Sequence, residues 1–177
     1  MSKKIYISFF AATLFIFAIL DSSVFAIDSE LTRRTLTGLP GVCVMVEDLQ
    51  PNIQKYAKKY ELTQEQLKRD VEQKLQKSGI IILSKENWLK TPGRPVLYVN
   101  INTHEHEKYW YAYDIEVELK QIVYMEANPK VKTLADTWSI SMTGIVNIGT
   151  LNTIRDSVGI LVNRFIDAYL SVNPKKP

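Results

Sequence analysis

The sequence contains a single cysteine, and glycine and proline are scarce, with 7 residues of each among 177. One cysteine allows no intramolecular disulfide, which excludes a small disulfide-stapled scaffold. The low glycine and proline content excludes collagen-like and low-complexity chains. What remains is an ordinary globular composition, because 46% of the residues are hydrophobic and 23% are charged. At this length one domain is the natural expectation.

No charge of one sign dominates, because 22 basic residues stand against 19 acidic ones. Nucleic-acid surfaces need a clear basic excess, so we expect no nucleic-acid partner. The sequence also lacks the Gly-x-Ser-x-Gly elbow of serine hydrolases. Its cysteine, Cys43, lies in the apolar run Val42–Val46, which predicts a buried and inert thiol. These absences predict a protein with no catalytic residues, no cofactor and no metal.

The first 26 residues have the pattern of a secretory signal peptide. Two lysines supply the positive start, an apolar run follows from Ile5 to Leu20, and Val24-Phe25-Ala26 offers a cleavage point. The alternative is an uncleaved anchor helix, but the run is shorter than the roughly 20 residues that cross a membrane. We therefore expect an exported protein, periplasmic or secreted. It has a single domain over residues 27–177 and no membrane span after cleavage.

The first half of this domain predicts a strand–helix–strand unit. Val42–Val46 and Ile80–Leu83 are apolar at every position, which is typical of central strands covered on both faces. Between them, a helix capped by Thr63 carries an apolar stripe and ends at Gly79. A crossover of this kind makes the two strands parallel. Ser84 then caps a short helical turn that carries Trp88.

In the second half of the domain, the spacing of the apolar residues changes. Three segments alternate apolar with polar residues, and they predict the half-buried strands of an antiparallel meander: Leu97–Asn102, Tyr113–Met125 and Leu134–Thr143. Apolar residues at spacings of three and four over Ile154–Tyr169 predict a long amphipathic helix. The predicted fold is therefore α+β. It is a two-layer domain in which a five-stranded mixed sheet carries two main helices on one face.

The one cluster of metal-ligand residue types is His104-Glu105-His106-Glu107. Alternate residues of a strand point the same way, so both histidines could contact one ion. A zinc site needs three or four converging ligands, however, and these are the only 2 histidines of the chain. The pattern therefore favours a solvated hairpin tip between Ile101 and Tyr113 over a metal site.

Glu116 and Glu118 are the candidates for general acid and base chemistry. On a strand they lie about 7 Å apart, a separation that suits a pair of catalytic carboxylates. Asp114 and Lys120 continue the same face, however, which is typical of the solvated side of a sheet. A small secreted carboxylate-dependent hydrolase is thus the alternative function. A concave pocket with apolar walls around the two carboxylates would support it.

Tyr109, Trp110, Tyr111 and Tyr113 place four aromatic side chains within five residues at the start of a strand. Alternation turns Trp110 away from the side that the others share. Exposed Trp and Tyr are favoured at protein interfaces, although Trp110 could instead cover a cross-strand neighbour such as Tyr98. We therefore predict a partner-binding site at Tyr109, Trp110 and Tyr111. The predicted function is non-enzymatic binding of another envelope or extracellular protein.

Four short segments resemble those of a group of uncharacterised exported bacterial proteins: Leu39–Val42, Val46–Leu49, Leu97–Asn100 and Phe165–Leu170. The order strand–helix–strand–strand–strand–helix is similar to that of two small periplasmic domains. One is the amino-terminal domain of Tol translocation protein B, and the other belongs to the curli secretion channel. The resemblance implies protein–protein binding in the envelope rather than catalysis. The chain lacks the lipidation cysteine of the curli channel and the β-propeller of the Tol protein.

We expect the exported protein to begin at Ile27, because Ala26 is the small residue that a signal peptidase requires at the end of the leader. Mass spectrometry of protein recovered after export measures this directly. Intact residues 1–26 in the membrane fraction would contradict the prediction and would support an anchor helix.

Overall fold

The computed structural model describes residues 28–174, so the predicted signal peptide lies outside the described residues. The helices are α1 (Glu30–Arg33), α2 (Pro51–Ala57), α3 (Gln64–Lys77), α4 (Lys85–Lys90) and α5 (Asn152–Val172), with short 3-10 turns at Arg34–Leu36, Lys58–Tyr60 and Ile148–Thr150. The strands are β1 (Cys43–Val46), β2 (Val96–Glu107), β3 (Trp110–Met125) and β4 (Asn128–Asn147).

The four strands form one mixed sheet in the order β1-β2-β3-β4. The strand β1 is parallel to β2, whereas β2, β3 and β4 are antiparallel neighbours. The α+β class and the mixed sheet are confirmed. The predicted count of five strands is wrong, because the segment Ile80–Leu83 does not become a strand of this sheet.

A single bridge is all that this segment forms with β1. It joins Ile82 to Val42 in the predicted parallel orientation. Both main-chain hydrogen bonds of the contact go to Val42, whose N–H donates to the Ile81 carbonyl at 3.0 Å and whose carbonyl accepts from Leu83 at 2.9 Å. Pairing stops there because Ser84 begins the next helix at once, with its Oγ accepting a hydrogen bond from the Asn87 N–H.

Alternation along the three long strands determines which side chains are buried. In β3 the odd-numbered residues from Tyr111 to Leu119 are buried, and the even-numbered residues between them are half-buried. Apart from Val96, the buried apolar residues of β1 to β4 belong to the same cluster as those of α3 and α5. α5 packs against β3 and β4, and α3 packs against β1 and α5. Burying large apolar side chains in this way contributes about 1.5–3 kcal/mol each to folding.

The strand β1 is not covered on both faces, as its apolar sequence had predicted. Val44 and Val46 are buried, but Met45 between them is 42% exposed. Both neighbours of Met45 face the cluster that contains α3, and Met45 points to the opposite side of the sheet. The all-apolar run therefore correctly predicted a strand. It did not indicate that this strand is covered on only one face.

The ends of α3 follow the predicted signals. Thr63 caps the helix, because its Oγ accepts a hydrogen bond from the Gln66 N–H at 3.2 Å. The reciprocal half of the capping box is not made, since the Gln66 amide donates to Asp70 instead. Gly79 follows the helix with a φ of 85°, the left-handed conformation that glycine adopts most readily. The short helix predicted after Ser84 and the long carboxyl-terminal helix are also confirmed as α4 and α5.

Trp138 of β4 is the largest side chain that is fully buried among the described residues. Its ring packs edge-on against Phe165 of α5, with 5.3 Å between centroids. Its indole N–H donates to Asp28 at 2.9 Å, and Arg33 makes two further hydrogen bonds to the same carboxylate. The Arg33 hydrogen bonds, together with that of Trp138, hold the pKa of Asp28 below its usual value despite burial. Trp138 thereby ties α1 to the sheet and to α5.

No helix within residues 28–174 is both long enough and apolar enough to cross a membrane.

We expect Trp138→Ala to lower the free energy of unfolding by about 3–5 kcal/mol, because it leaves a cavity against Phe165 and removes one of the three hydrogen bonds to the Asp28 carboxylate. Ser139→Ala is the matched control, since Ser139 lies one position along on the opposite face and makes no side-chain hydrogen bond. It should cost under about 0.5 kcal/mol. Urea denaturation of both variants measures the difference, and equal costs would contradict the observed facing of β4.

Candidate functional site

The face of the sheet opposite the apolar cluster carries rows of polar side chains in its centre. We call this the open face. Cross-strand pairing aligns Tyr98 with Glu118 and Ser139, Asn100 with Glu116 and Ser141, and Asn102 with Asp114 and Thr143. These residues range from half-buried to exposed. The open face is therefore the place where the candidate residues of the second half of the chain come together.

Glu118 is already paired with a cation. Lys120 contacts its carboxylate at 2.8 Å and that of Asp136 at 2.6 Å. Burial lowers the pKa of Lys120, but the hydrogen bonds to the two carboxylates outweigh this and leave the pKa above its usual value. Glu116 accepts a long hydrogen bond of 3.4 Å from Asn100. A cavity of about 300 Å³ lies beside these carboxylates, and most of its lining residues are polar.

Asp114 occupies a different setting on the same face. It lines a shallow cavity of about 590 Å³ together with His104, Asn102 and Ile145. Burial raises the pKa of the Asp114 carboxyl above its usual value. The sequence pattern placed Asp114 on the solvated side of the strand and did not single it out. Its half-buried position depends on neighbours from β2 and β4, which only the pairing of the strands reveals.

His104 and His106 are both exposed near the end of β2. The strand runs on to Glu107 and turns through Lys108 and Tyr109 into β3, so the histidines lie on the hairpin and not at its tip. Within residues 28–174, no group of three or more His, Cys, Asp or Glu side chains converges as a metal site would require.

The predicted partner-binding aromatics divide into two groups. Tyr109 and Trp110 are 43% and 46% exposed, and Tyr109 sits in the turn with a φ of 72°. Tyr111 is fully buried, because its position in β3 faces the apolar cluster. Its hydroxyl donates to the Asn52 carbonyl at 3.2 Å, and its ring meets Tyr56 edge-on. A contact surface at this hairpin therefore consists of Tyr109 and Trp110, with Tyr111 beneath them as part of the core.

Ile145 of β4 extends this exposed aromatic region. It is 65% exposed and pairs with Ala112, which makes it a diagonal neighbour of Trp110 across the strands. Diagonal neighbours lie about 7–8 Å apart, within reach of an indole ring. Sequence reasoning did not identify Ile145, although its alternation with the buried Val146 could have indicated it. We call Tyr109, Trp110 and Ile145 the hairpin patch.

A third cavity lies at the other end of the open face. It has a volume of about 630 Å³, and its lining is largely apolar. We call it the Trp88 cavity, and its aromatic and aliphatic lining comes from five elements: Met45, Trp88, Val96, Tyr98, Ile122 and Leu134. Arg94, Lys120 and Lys132 stand around it, and none of the residues that line it is acidic. Sequence reasoning missed this cavity because its members are scattered from β1 to β4.

The Tyr98 ring lines the Trp88 cavity, while its hydroxyl is bound outside it. That hydroxyl donates a short hydrogen bond of 2.5 Å to the carboxylate of Glu47. The bond raises the pKa of Tyr98 to about 12, with burial and the charge of Glu47 adding to the effect. Lys120 Nζ also lies 4.9 Å from the centre of the ring. Tyr98 is thus held in one orientation by groups on two sides.

Cys43 is partly exposed, not buried as predicted. Burial still raises the pKa of its thiol above the usual value, more than the charge of Lys68 lowers it. A raised pKa reduces the thiolate fraction and hence the reactivity of the residue.

The sequence matches no protein-family model and no curated protein. The resemblance to the Tol and curli domains stays a prediction, because these comparisons do not bear on it.

We expect Tyr98 to titrate at about pH 12, and Glu47→Gln to return its pKa toward the usual value near 10, by removing the anionic acceptor. Tyrosinate absorbance between pH 9 and 12.5, compared with Tyr98→Phe, measures the change. A raised folded-state pKa adds stability that is complete below about pH 10 and is lost as the pH rises toward 12.

Asp48→Asn is the matched control, because Asp48 is an exposed neighbouring carboxylate with no hydrogen bond to a tyrosine. Superimposable titrations of Glu47→Gln and the unmodified protein would show that the Tyr98–Glu47 bond is absent in solution.

Proposed function

We propose that this chain is an exported, non-enzymatic domain that binds another protein of the envelope or the extracellular space. In the proposed arrangement α3 and α5 form one layer, the sheet forms the other, and the open face is left for the partner. The observation that carries the proposal is the hairpin patch, in which Trp110 and Ile145 stand exposed side by side on that face.

The composition of the patch suits a protein interface. Trp and Tyr are the residues most enriched among those that dominate binding energy. Exposed apolar side chains gathered at one place are more informative than the same number scattered singly. Polar and charged residues surround the patch, including His104, Glu105 and Lys108, and Lys108 Nζ lies 5.1 Å from the centre of the Tyr109 ring. An apolar centre with a polar rim is the usual organisation of a binding surface.

The edge of the sheet beside the patch offers a second means of attachment. The strand β4 is an edge strand of the sheet, and no strand within residues 28–174 pairs with its outer side. An extended segment of a partner can add to such an edge by main-chain hydrogen bonds. Ile145 lies on this strand, so a partner strand would bring its own side chains over the hairpin patch.

The carboxylate-dependent hydrolase has less support as a function. Glu118 is neutralised by Lys120, and six of the eight residues that line the cavity beside Glu116 and Glu118 are polar. The raised pKa of Asp114 is the one feature that favours acid chemistry on this face. Its directly opposed neighbours are Asn102 and Thr143. His104 lines the same cavity and Glu116 lies two positions along β3, but neither makes a hydrogen bond with Asp114 among the described residues.

We expect Trp110→Ala to change the free energy of unfolding by under about 0.5 kcal/mol, because the side chain is exposed. The same change should weaken partner binding by about 2 kcal/mol or more, the usual effect of removing a central tryptophan. Affinity recovery of the full exported protein from its native envelope, quantified by mass spectrometry, identifies the partner. Purified partner then allows the affinity to be measured.

Leu31→Ala is the matched control, because Leu31 is an exposed large apolar residue on α1, away from the hairpin. The partner should be retained by Leu31→Ala and lost by both Trp110→Ala and Ile145→Ala. If Trp110→Ala lost stability and kept the partner, Trp110 would be a structural residue and the proposed binding surface would be wrong.

A further inference from the structure

The Trp88 cavity has the dimensions and the lining of a small-molecule site. Its volume of about 630 Å³ lies within the range of about 300–1,000 Å³ found for ligand pockets. Among its lining residues, Met45 and Leu134 are 42% and 58% exposed, whereas Val96 is buried and Ile122 is half-buried. Large apolar side chains that stay exposed around a concavity favour the burial of an apolar ligand there.

The charged residues that line the cavity are all cations. Lys120 is neutralised by Glu118 and Asp136, as described above. Arg94 and Lys132 form no ion pair with any residue in the described part of the chain; Lys132 only approaches the Tyr124 ring, at 5.5 Å. Because no acidic side chain lines the cavity, two cations remain available to a ligand. An arginine fork is well suited to a carboxylate, which it can bind with two parallel hydrogen bonds.

The indole N–H of Trp88 also lacks a partner. It is the one buried side-chain polar atom without a hydrogen-bond partner among the residues that the structure describes. Buried donors are almost always satisfied, so an unsatisfied one calls for an explanation. Trp88 lines the cavity, but its Nε1 atom has almost no accessible surface, so this N–H points away from the space that a ligand would occupy and the indole contributes an apolar wall.

The backbone of Arg94 is held in an unusual conformation. Its φ is 44°, in the left-handed region that residues with a side chain rarely adopt. The preceding residue, Gly93, fixes this turn against the sheet, because its carbonyl accepts a hydrogen bond from the Ile122 N–H at 2.7 Å. Strained residues of this kind cluster at ligand-binding sites.

We propose that the Trp88 cavity binds a small amphipathic carboxylate. The hydrocarbon body lies on Met45, Val96, Ile122 and Leu134. The carboxylate lies at the cationic rim with Arg94 and Lys132, and the Trp88 ring packs against the hydrocarbon body. This site is independent of the hairpin patch, since Trp110 and Lys120 are separated along β3 by about 34 Å at the usual rise of a strand.

Isothermal titration of the full exported protein with decanoate and with decanol tests the proposal, because the two probes share a chain and differ in charge. We expect decanoate to bind at one site, and decanol to bind at least about tenfold more weakly. Arg94→Gln should weaken decanoate about tenfold or more, the usual effect of losing a charge-assisted hydrogen bond, and leave decanol unchanged. Trp88→Phe keeps an aromatic wall in the cavity, so it should change the affinities for decanoate and decanol by the same factor.

Two controls separate the site from general effects. Lys90→Gln removes a cation of α4 that pairs with Glu86 and does not line the cavity, so it should not change decanoate binding. Trp110→Ala should not change it either, which makes failure of this site distinguishable from failure of the proposed protein-binding function. Melting temperatures confirm that each variant folds. If Trp88→Phe does not, Arg94→Gln, which alters an exposed side chain, decides the result.

Four outcomes would overturn the proposal. The first is the absence of decanoate binding up to millimolar concentration, and the second is equal affinity for decanoate and decanol. The third is a loss in Lys90→Gln as large as that in Arg94→Gln, because general charge attraction would then explain the binding. The last is Arg94-dependent binding to vesicles of phosphatidylcholine and phosphatidylglycerol without binding of free decanoate, which would make the region a membrane-contact surface.

Discussion

Burial of one face of the long strands against α5 is the constraint on which the rest of the structure depends. Ile115, Val117 and Leu119 of β3 are fully buried in the cluster that also contains the apolar face of α5. Trp138 adds an aromatic contact from β4 to Phe165, and its N–H fixes Asp28 and hence α1. A shift of one residue in any of these strands would turn the whole set outward, so the register is strongly determined.

The same alternation leaves the open face with a polar centre and two apolar ends. Asn100, Glu116 and Ser141 form its middle row. The hairpin patch lies toward one end, where β2 turns into β3, and the Trp88 cavity lies toward the other, where β2 begins and the β3–β4 hairpin extends beyond it. The two regions differ, because the first is a set of exposed aromatic and aliphatic side chains at a turn and the second is a hollow. An exposed aromatic surface suits a protein partner, and an apolar hollow suits a small ligand.

Charge neutralisation divides the open face further. Three carboxylates of this region are taken up by local contacts, since Glu118 and Asp136 both bind Lys120, and Glu47 binds the Tyr98 hydroxyl. Glu116 accepts one long hydrogen bond from Asn100. The charged residues at the rim of the Trp88 cavity are cations, and Arg94 and Lys132 are the two that form no ion pair with a described residue. Electrostatics therefore favours an anion at that end. The pairing of Glu118 with Lys120 weakens the case for acid–base catalysis by Glu116 and Glu118.

The sequence by itself determined the elements that depend on local pattern. Apolar residues at every second position predicted the three long strands, and apolar residues three and four positions apart predicted α5. Thr63 and Gly79 marked the ends of α3. Each of these patterns acts over a few neighbouring residues, so a single chain displays it in full. The opposite facing of Trp110 and Tyr111 follows from the same alternation, and the structure has one exposed and the other buried.

Only the tertiary structure decided the features that require distant residues to meet. Ile80–Leu83 is apolar enough for a strand, yet it makes a single bridge because Ser84 begins a helix before further pairing can form. Met45 is as apolar as its neighbours, yet it stays exposed because α3 packs on the side that Val44 and Val46 face. The Trp88 cavity draws its lining from five separate elements, so no stretch of sequence contains it. Local propensity selects helix or strand, whereas the pairing and packing of elements remote in sequence decide which side chains are covered and which remain to bind a ligand.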